Sequence, residues 1–277
     1  MQHEAVTAGI DPENYRFLQE YIYSRVGIVL EDNKHYLLES RLGSIVETRR
    51  LGSVNDLCTL LRTSRDPEVN RQVSEAMTTN ETYFFRDPAH YDAIRTVLLP
   101  RLKEERRDTR TLRFWSAAAS TGQEAYSLAL LLLDQELQGW NIQILGTDFS
   151  SQVLERARSG LYQQVEVNRG LPATHLARHF HPSGVDWQLS ELVRRMVRFE
   201  TIDLRKSMRG LGPFDLVFCR NVMIYFDSET KKQILKEIHG TLVRGGWLLL
   251  GGAESALGFE ELFERKTMGG ATIYVAR

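Results

Sequence analysis

Cysteine is scarce: the 277 residues hold two, Cys58 and Cys219, far apart and outside any CxxC pair. That usage suits a reducing compartment. Charge of one sign is lacking too. A formal net charge of −1 gives no global field, and no basic stripe is interleaved with stacking aromatics, so no nucleic-acid partner is indicated. The longest apolar run, residues 128–133, is far too short to span a bilayer, and no membrane insertion is expected. Residues 1–9 carry no basic stretch followed by an apolar run; a secretory leader is not expected, and a cytoplasmic location is. The turn that follows the first strand lacks GxGxxG, which counts against an NAD-linked oxidoreductase. What is present, 42% hydrophobic and 26% charged residues, describes a globular chain with a full core, long enough for two domains or a large one with a small one.

Residues 11–77 carry helical signals and no strand signal. Asp11-Pro12-Glu13 is a cap with proline in the first turn; Phe17, Leu18, Tyr21, Ile22 and Val26 then recur at helical spacing, and Gly27 closes the run. A second helix is expected over about 32–50, with Leu37, Leu38, Leu42, Ile45 and Val46 on one face, and shorter ones over 53–61 and 66–77. Lys34, His35, Arg41, Arg49 and Arg50 lie along the second helix's polar side. They form either a solvated face balanced by Glu39 and Glu47, or a local basic face for an acidic helical partner. The segment Thr78-Thr-Asn-Glu-Thr-Tyr-Phe-Phe-Arg-Asp-Pro88 is too aromatic for an ordinary linker. Asn80, Thr82 and Arg86 can orient a ligand by directional hydrogen bonds. The alternative is an aromatic plug with Arg86 in a structural ion pair.

Beyond a helix over about 88–107, strands and helices alternate. Strands are expected at 111–116, 142–147, 197–202, 214–219 and 246–251, the last reached through an Arg244-Gly245-Gly246 turn, with helices at 122–137, 150–159 and 228–242. A hairpin over 263–267 and 271–275 turns on Gly269-Gly270. Alternation of this kind implies a mostly parallel sheet with helices on both faces and an antiparallel addition at its end. The fold class is therefore α/β: an N-terminal all-α bundle (1–78), a connecting motif and helix (79–110), and a Rossmann-like domain (111–277). Residues 160–195 break the alternation as an inserted subdomain of short strands and one helix. His175, His179 and His181 in it have no carboxylate or cysteine at ligand spacing, so surface histidines and no metal site are expected.

The chain is organised around residues 112–127. A short β run passes through small residues, 116–122, into a strongly helical segment, which is where a nucleotide-like ligand settles in an open α/β sheet. Glu124, early in the helix, suits the positive end of its dipole and can accept from a cationic ligand. Asp148 ends the next strand, where an acid grips ribose hydroxyls, or else caps the next helix, a role Ser150 can also fill. Asp203 and Arg220-Asn221 occupy equivalent rim positions, and four polar strand ends on one rim describe a ligand pocket.

Five motifs in order carry a resemblance: Thr79-Asn-Glu-Thr-Tyr-Phe-Phe-Arg86, Trp115-Ser-Ala-Ala-Ala-Ser-Thr-Gly-Gln-Glu124, Gly146-Thr-Asp-Phe-Ser150, Ala157-Arg-Ser-Gly-Leu-Tyr162 and Phe214-Asp-Leu-Val-Phe-Cys-Arg-Asn-Val-Met-Ile-Tyr-Phe-Asp227. From about Tyr15 to Val275 the sequence resembles the chemotaxis receptor glutamate methyltransferases, the CheR family. The resemblance implies an S-adenosylmethionine-dependent methyltransferase domain carrying a small β subdomain. It also implies methylation of glutamate side chains on the cytoplasmic helical domain of methyl-accepting chemoreceptors, giving glutamyl methyl esters and S-adenosylhomocysteine and tuning chemosensory adaptation. Residue by residue, Asn80, Thr82 and Arg86 match the interdomain motif that touches the cofactor, Glu124 the acid at its methionine end, and Asp148 the ribose acid. Asp203-Leu204 match the pair flanking the adenine, and Arg220-Asn221 the rim after the fourth strand. Asp203 stands where members often carry Asn, and Gln123 where an acid is frequent. Residues 181–190 are shorter than in members that bind a receptor tail, which argues against tethering.

A sulfonium methyl is already activated and a glutamate carboxylate already anionic at neutral pH, so the implied reaction needs alignment and dehydration rather than a general base. Arg86 is the candidate fork for the substrate carboxylate and Tyr225 its orienting hydroxyl, the alternative for Tyr225 being a core aromatic beside Phe226. Two rivals stand beside this reading: a non-catalytic cofactor-binding adaptor, and a methyltransferase for nucleic acid or small molecules on the same fold. A monomer is expected.

Overall fold

In the computed structural model, which describes residues 9–64 and 66–277, the chain divides into two units. One holds the described residues up to Thr79 together with Tyr225–Ser228; the other holds Asn80–Ile224 and Glu229–Arg277.

The first unit is helical. Helix α1 (Pro12–Val26) starts on its proline and stops at Gly27, whose φ is 74°. It is followed by α2 (His35–Thr48), α3 (Val54–Thr63) and α4 (Pro67–Ala76). Ser53 caps α3 through the Asp56 amide, and Asp66 caps α4 through that of Glu68. Helix α2 begins at His35 rather than at about 32. The Tyr15 hydroxyl takes the Lys34 N–H and donates to the Glu31 carbonyl, which keeps the preceding turn out of the helix. Leu18, Ile22, Leu38, Leu42, Leu57 and Val73 are fully buried. Each such side chain stabilises the bundle by roughly 1.5–3 kcal/mol. Two arginines of the basic face are used within the bundle: Arg41 donates to the Met77 and Thr78 carbonyls, and Arg49 pairs with Asp66 at 2.8 Å. Tyr225–Ser228 joins this unit through the Val29 amide on the Tyr225 carbonyl (3.2 Å) and the Tyr23 hydroxyl on Asp227 (2.8 Å).

The second unit opens with α5 (Pro88–Ala93), a π-helical turn (Ile94–Leu98) and α6 (Leu99–Glu105), where one continuous helix was expected. Pro100 supplies no amide to the helical ladder, and the widened turn lies directly before it. Then come β1 (Thr111–Ala117), α7 (Gln123–Leu133), β2 (Asn141–Asp148) and α8 (Ser151–Ser159). The inserted part contains β3 (Leu161–Gln163), α9 (Gln164–Val167), α10 (Ala173–His179), β4 (Phe180–Ser183), β5 (Asp186–Leu189) and α11 (Glu191–Arg194). It thus has three short helices rather than one, beside an antiparallel sheet ordered β3-β5-β4. The chain closes with β6 (Val197–Thr201), β7 (Phe214–Cys219), α12 (Ser228–Thr241), β8 (Leu242–Leu250), β9 (Phe263–Met268) and β10 (Ala271–Ala276).

The main sheet runs β6-β2-β1-β7-β8-β10-β9, parallel through β8 and antiparallel thereafter. Strand β8 starts before the expected turn, which survives as an irregularity inside it: Phe214 pairs with Leu242, but Leu216 pairs with Trp247. Leu112, Phe114, Leu128, Leu130, Phe218 and Leu249 are fully buried in its core. Because β1 is flanked by β2 and β7, the strand order reverses at β1, and in an open parallel sheet that is where ligands bind, beyond the strands' carboxyl ends.

His175 is not a surface histidine. Helix α10 turns it inward, where it is buried and stacks on Phe85 at 5.3 Å; burial lowers its pKa. Its ring partner lies ninety residues away in the chain, beyond the reach of local spacing.

Candidate active site

Beyond β1 the backbone turns sharply into α7. Ala118, Ser120 and Gly122 all have left-handed φ, at 64°, 50° and 94°. For the two non-glycine residues that conformation costs on the order of 1–3 kcal/mol each. Specific bonds hold it: the Ala119 amide donates to the Thr147 carbonyl (2.7 Å), the Ser120 amide to Asp148 (2.9 Å) and the Ser120 hydroxyl to the Asn80 carbonyl (2.8 Å). A Cβ at Gly122 would stand 3.0 Å from Ala157 and 3.1 Å from the Tyr126 ring, so glycine lets α7 start against α8.

Asp148 ties this turn to the next loop, accepting the Ser120 amide on one oxygen and the Ser150 amide, at 3.0 Å, on the other. The cap of α8 is Ser150, which accepts from Val153. Asp148 is therefore an oriented, buried carboxylate on the rim rather than a helix cap.

Behind the turn lies a buried ion-pair cluster. Glu124, in the first turn of α7, accepts from the Ser116 hydroxyl at 2.7 Å and from Arg220 at 2.9 Å. The other arm of Arg220 donates to the Arg86 carbonyl (2.9 Å) and to the Asp87 carboxylate. Burial pushes the Glu124 carboxyl above the ordinary carboxylate range, while the Arg220 charge and the Ser116 hydroxyl pull it back. Burial disfavours the Arg220 charge, but Glu124 and Asp87 outweigh it and hold the guanidinium protonated. His90, buried beside them, is pushed down to about 4 by burial and then by Arg220, so it is neutral at pH 7.

The segment carrying Arg86 is fixed from below. Phe84 is fully buried against Tyr162 and Phe180, and Phe85, at φ 52°, donates its amide to the Ser127 hydroxyl at 2.8 Å. Packing thus accounts for two of the three adjacent aromatics. The Arg86 guanidinium donates to the Glu81 carbonyl (3.1 Å), lies 5.5 Å from the Tyr83 ring centroid, and its charge helps hold the Glu81 carboxyl below its ordinary pKa.

The structure brings together Asn80, Arg86, Glu124, Asp148 and Arg220, some by backbone groups and some by side chains. Thr82 is half-buried in the same segment. Asp203 follows Ile202, whose amide donates to the Asp148 carbonyl (3.0 Å); its carboxylate holds Arg205 through the backbone amide, Nε and Nη2, and Leu204 is buried beside it. Asn221, at φ 58°, gives its amide to Glu254. Tyr225 falls in the segment grouped with the helical unit. Sequence reasoning missed Asp87 and Glu254. Adjacency to Arg86 was a signal for the first; for the second, the signal was a glycine ending β8 with an acid three residues on.

Chemically, the rim offers one buried acid for a cation and one oriented acid for a diol. Among the described residues no group of three His, Cys, Asp or Glu side chains is placed to hold a metal ion.

Residues 80–270 match the family described as CheR methyltransferase, SAM binding domain, and residues 13–78 match CheR methyltransferase, all-alpha domain. The chain is 35% identical over 277 residues to the chemotaxis protein methyltransferase Cher2 of Pseudomonas putida, covering 98% of this chain and 99% of that one. It is 36% identical over 270 residues to chemotaxis protein methyltransferase 1 of Pseudomonas aeruginosa, covering 95% and 98%. A third relative, the chemotaxis protein methyltransferase of Borreliella burgdorferi, is 31% identical over 252 residues, covering 88% and 89%.

Proposed function

The chain belongs to the CheR family of S-adenosylmethionine-dependent chemotaxis methyltransferases, and from that premise we propose that its product is a glutamyl methyl ester on the cytoplasmic helical domain of a methyl-accepting chemoreceptor. The observation that carries this reading to the chain's own residues is the pair of acids on one rim: Glu124 buried at the start of α7, and Asp148 oriented by two backbone amides. A cation and a vicinal diol are what S-adenosylmethionine would present to them, so the donor set fits the cofactor.

When bound, the cofactor supplies an activated sulfonium methyl group. Glu124 would accept from its ammonium end, Asp148 from its ribose hydroxyls, and Asp203-Leu204 would border its adenine. Asn80 and Thr82 would close the site from the connecting segment. Arg220 acts from behind, its guanidinium committed to Glu124, Asp87 and the Arg86 carbonyl. A receptor glutamate is ionised at neutral pH, so no side chain here has to remove a proton from it. Arg86 would hold that carboxylate with its fork.

The test is transfer of labelled methyl from S-adenosylmethionine to a purified receptor cytoplasmic domain, followed by mild alkali. Base-labile label supports the glutamyl ester. Alkali-stable label on the receptor, or label only on nucleic acid or small molecules, contradicts it. Tight cofactor binding by calorimetry without any transfer would favour a non-catalytic adaptor.

A further inference from the structure

Four backbone amides from two strand ends converge on one carboxylate. Glu254 lies three residues beyond Gly251, just past the end of β8. One of its oxygens accepts the amides of Asn221 and Gly251, both at 2.7 Å; the other accepts those of Val222 (2.9 Å) and Met223 (2.7 Å). A carboxylate offers about four acceptor positions, so this set occupies them all, and each bond is charge-assisted. Residues 221–223 have left β7 and no longer have strand neighbours to take their amides. The turn they make begins in the left-handed region, at Asn221.

Gly251 leaves the room this requires. A Cβ there would stand 2.7 Å from the Glu254 carboxylate, 2.8 Å from the Asn221 side-chain amide and 3.0 Å from its backbone nitrogen. A Cβ on the adjacent Gly252 would meet nothing within 4 Å. The clamp also reaches the acid at the start of α7, because the Glu254 charge adds to what raises the Glu124 pKa.

We propose that Glu254 is the positioning residue of the cofactor rim: by gathering the amides of Asn221, Val222, Met223 and Gly251, it locks the turn that presents Arg220 and Asn221 at the carboxyl end of β7. The inference rests on the cofactor reading above. Gly251 and Glu254 act as one device, and Gly251→Ala breaks it as surely as loss of the carboxylate.

The experiment compares Glu254→Gln, Gly251→Ala, the double variant and the Gly252→Ala control by amide hydrogen exchange, S-adenosylhomocysteine calorimetry and methyl transfer. Glu254→Gln puts a donor where two amides need an acceptor. Exchange at residues 221–223 and 251 is expected to rise at least about tenfold, with the amides of α1–α4 unchanged. Affinity for S-adenosylhomocysteine is expected to fall at least about tenfold. Turnover should fall about 100-fold, as for a site displaced by roughly 1 Å, with the KM for the receptor little changed. Gly251→Ala should reproduce these effects, the double variant should be no worse than either single one, and Gly252→Ala should match the parent. Should Glu254→Gln not fold, Glu254→Asp keeps the charge on a shorter reach and should give the same local exchange. Unchanged exchange at the four amides overturns the proposal, as do parental affinity for S-adenosylhomocysteine, additive effects in the double variant, or faster exchange throughout both units. A parent chain that binds S-adenosylhomocysteine but methylates no receptor defeats the functional reading instead; exchange and affinity still decide the proposal.

Discussion

Replacing Arg220 by methionine isolates the electrostatics of the site. Methionine keeps much of the aliphatic volume and removes the guanidinium. Glu124, 8% exposed, would keep its hydrogen bond from Ser116 and lose its counter-charge. Asp87 loses the same partner, but its side chain is 42% exposed and water takes over. A buried charge stripped of its partner destabilises by about 3–5 kcal/mol, so the second unit should lose stability of that order at pH 7.5. The sign with pH follows from linkage. Without Arg220 the folded-state pKa of Glu124 rises further above its ordinary value, so the folded state holds a proton the unfolded state has released. Stability then falls as pH rises, and the deficit shrinks as pH drops toward the ordinary carboxylate value of 4.5. Glu124→Gln in the same chain should restore most of the loss, because no charge is then stranded. Urea unfolding followed by tryptophan fluorescence reads this directly, since Trp115, Trp140, Trp187 and Trp247 all lie in the second unit. A loss below about 1 kcal/mol, or a double variant that loses the sum of the single losses, would refute the reasoning.

Asp148→Ala should weaken S-adenosylhomocysteine binding by about 10–100-fold in calorimetry, the worth of one or two hydrogen bonds to a charged acceptor; an unchanged affinity would remove Asp148 from the cofactor site. Arg86→Ala should lower turnover about 100-fold, through lost alignment of the substrate carboxylate. Near-normal turnover with intact cofactor affinity would take Arg86 out of the chemistry. His90 titrates at about 4 when folded against 6.5 in the open chain, so the unfolded state binds its proton first as pH falls. Its stabilising effect is complete above pH 6.5 and is lost progressively toward pH 4, by at most about 3 kcal/mol. His90→Leu should flatten that part of the pH–stability curve, and an unchanged curve would show that the ring is not held neutral by burial.

Much of the fold was legible because local rules and tertiary packing agree. The β7 run of six buried residues has no other use than a central strand, and α1 announces itself with proline at one end and glycine at the other. Boundaries failed where a distant partner decided them. Tyr15 trims the start of α2, and the pairing of β7 with β8 absorbs a turn into a strand. The same division holds for the site. Glu124 and Asp148 could be read from their places after β1 and β2, because an open parallel sheet puts ligands there. Arg220 as the hub between Glu124, Asp87 and the Arg86 carbonyl could not, since it joins segments about a hundred residues apart. Glu254 was missed for a related reason: its partners are backbone amides, which leave no mark in side-chain identity, and the only signal was an acid three residues after the glycine that ends β8.

The most direct measurement of the central claim is peptide mapping by mass spectrometry of a receptor cytoplasmic domain after incubation with this chain and S-adenosylmethionine, alongside a receptor whose acceptor glutamates are changed to alanine. The account predicts a single methyl added to each of those glutamates, removed by alkali and absent from the altered receptor. Methyl groups that persist in the altered receptor, or that sit on lysine, arginine or histidine, would contradict it.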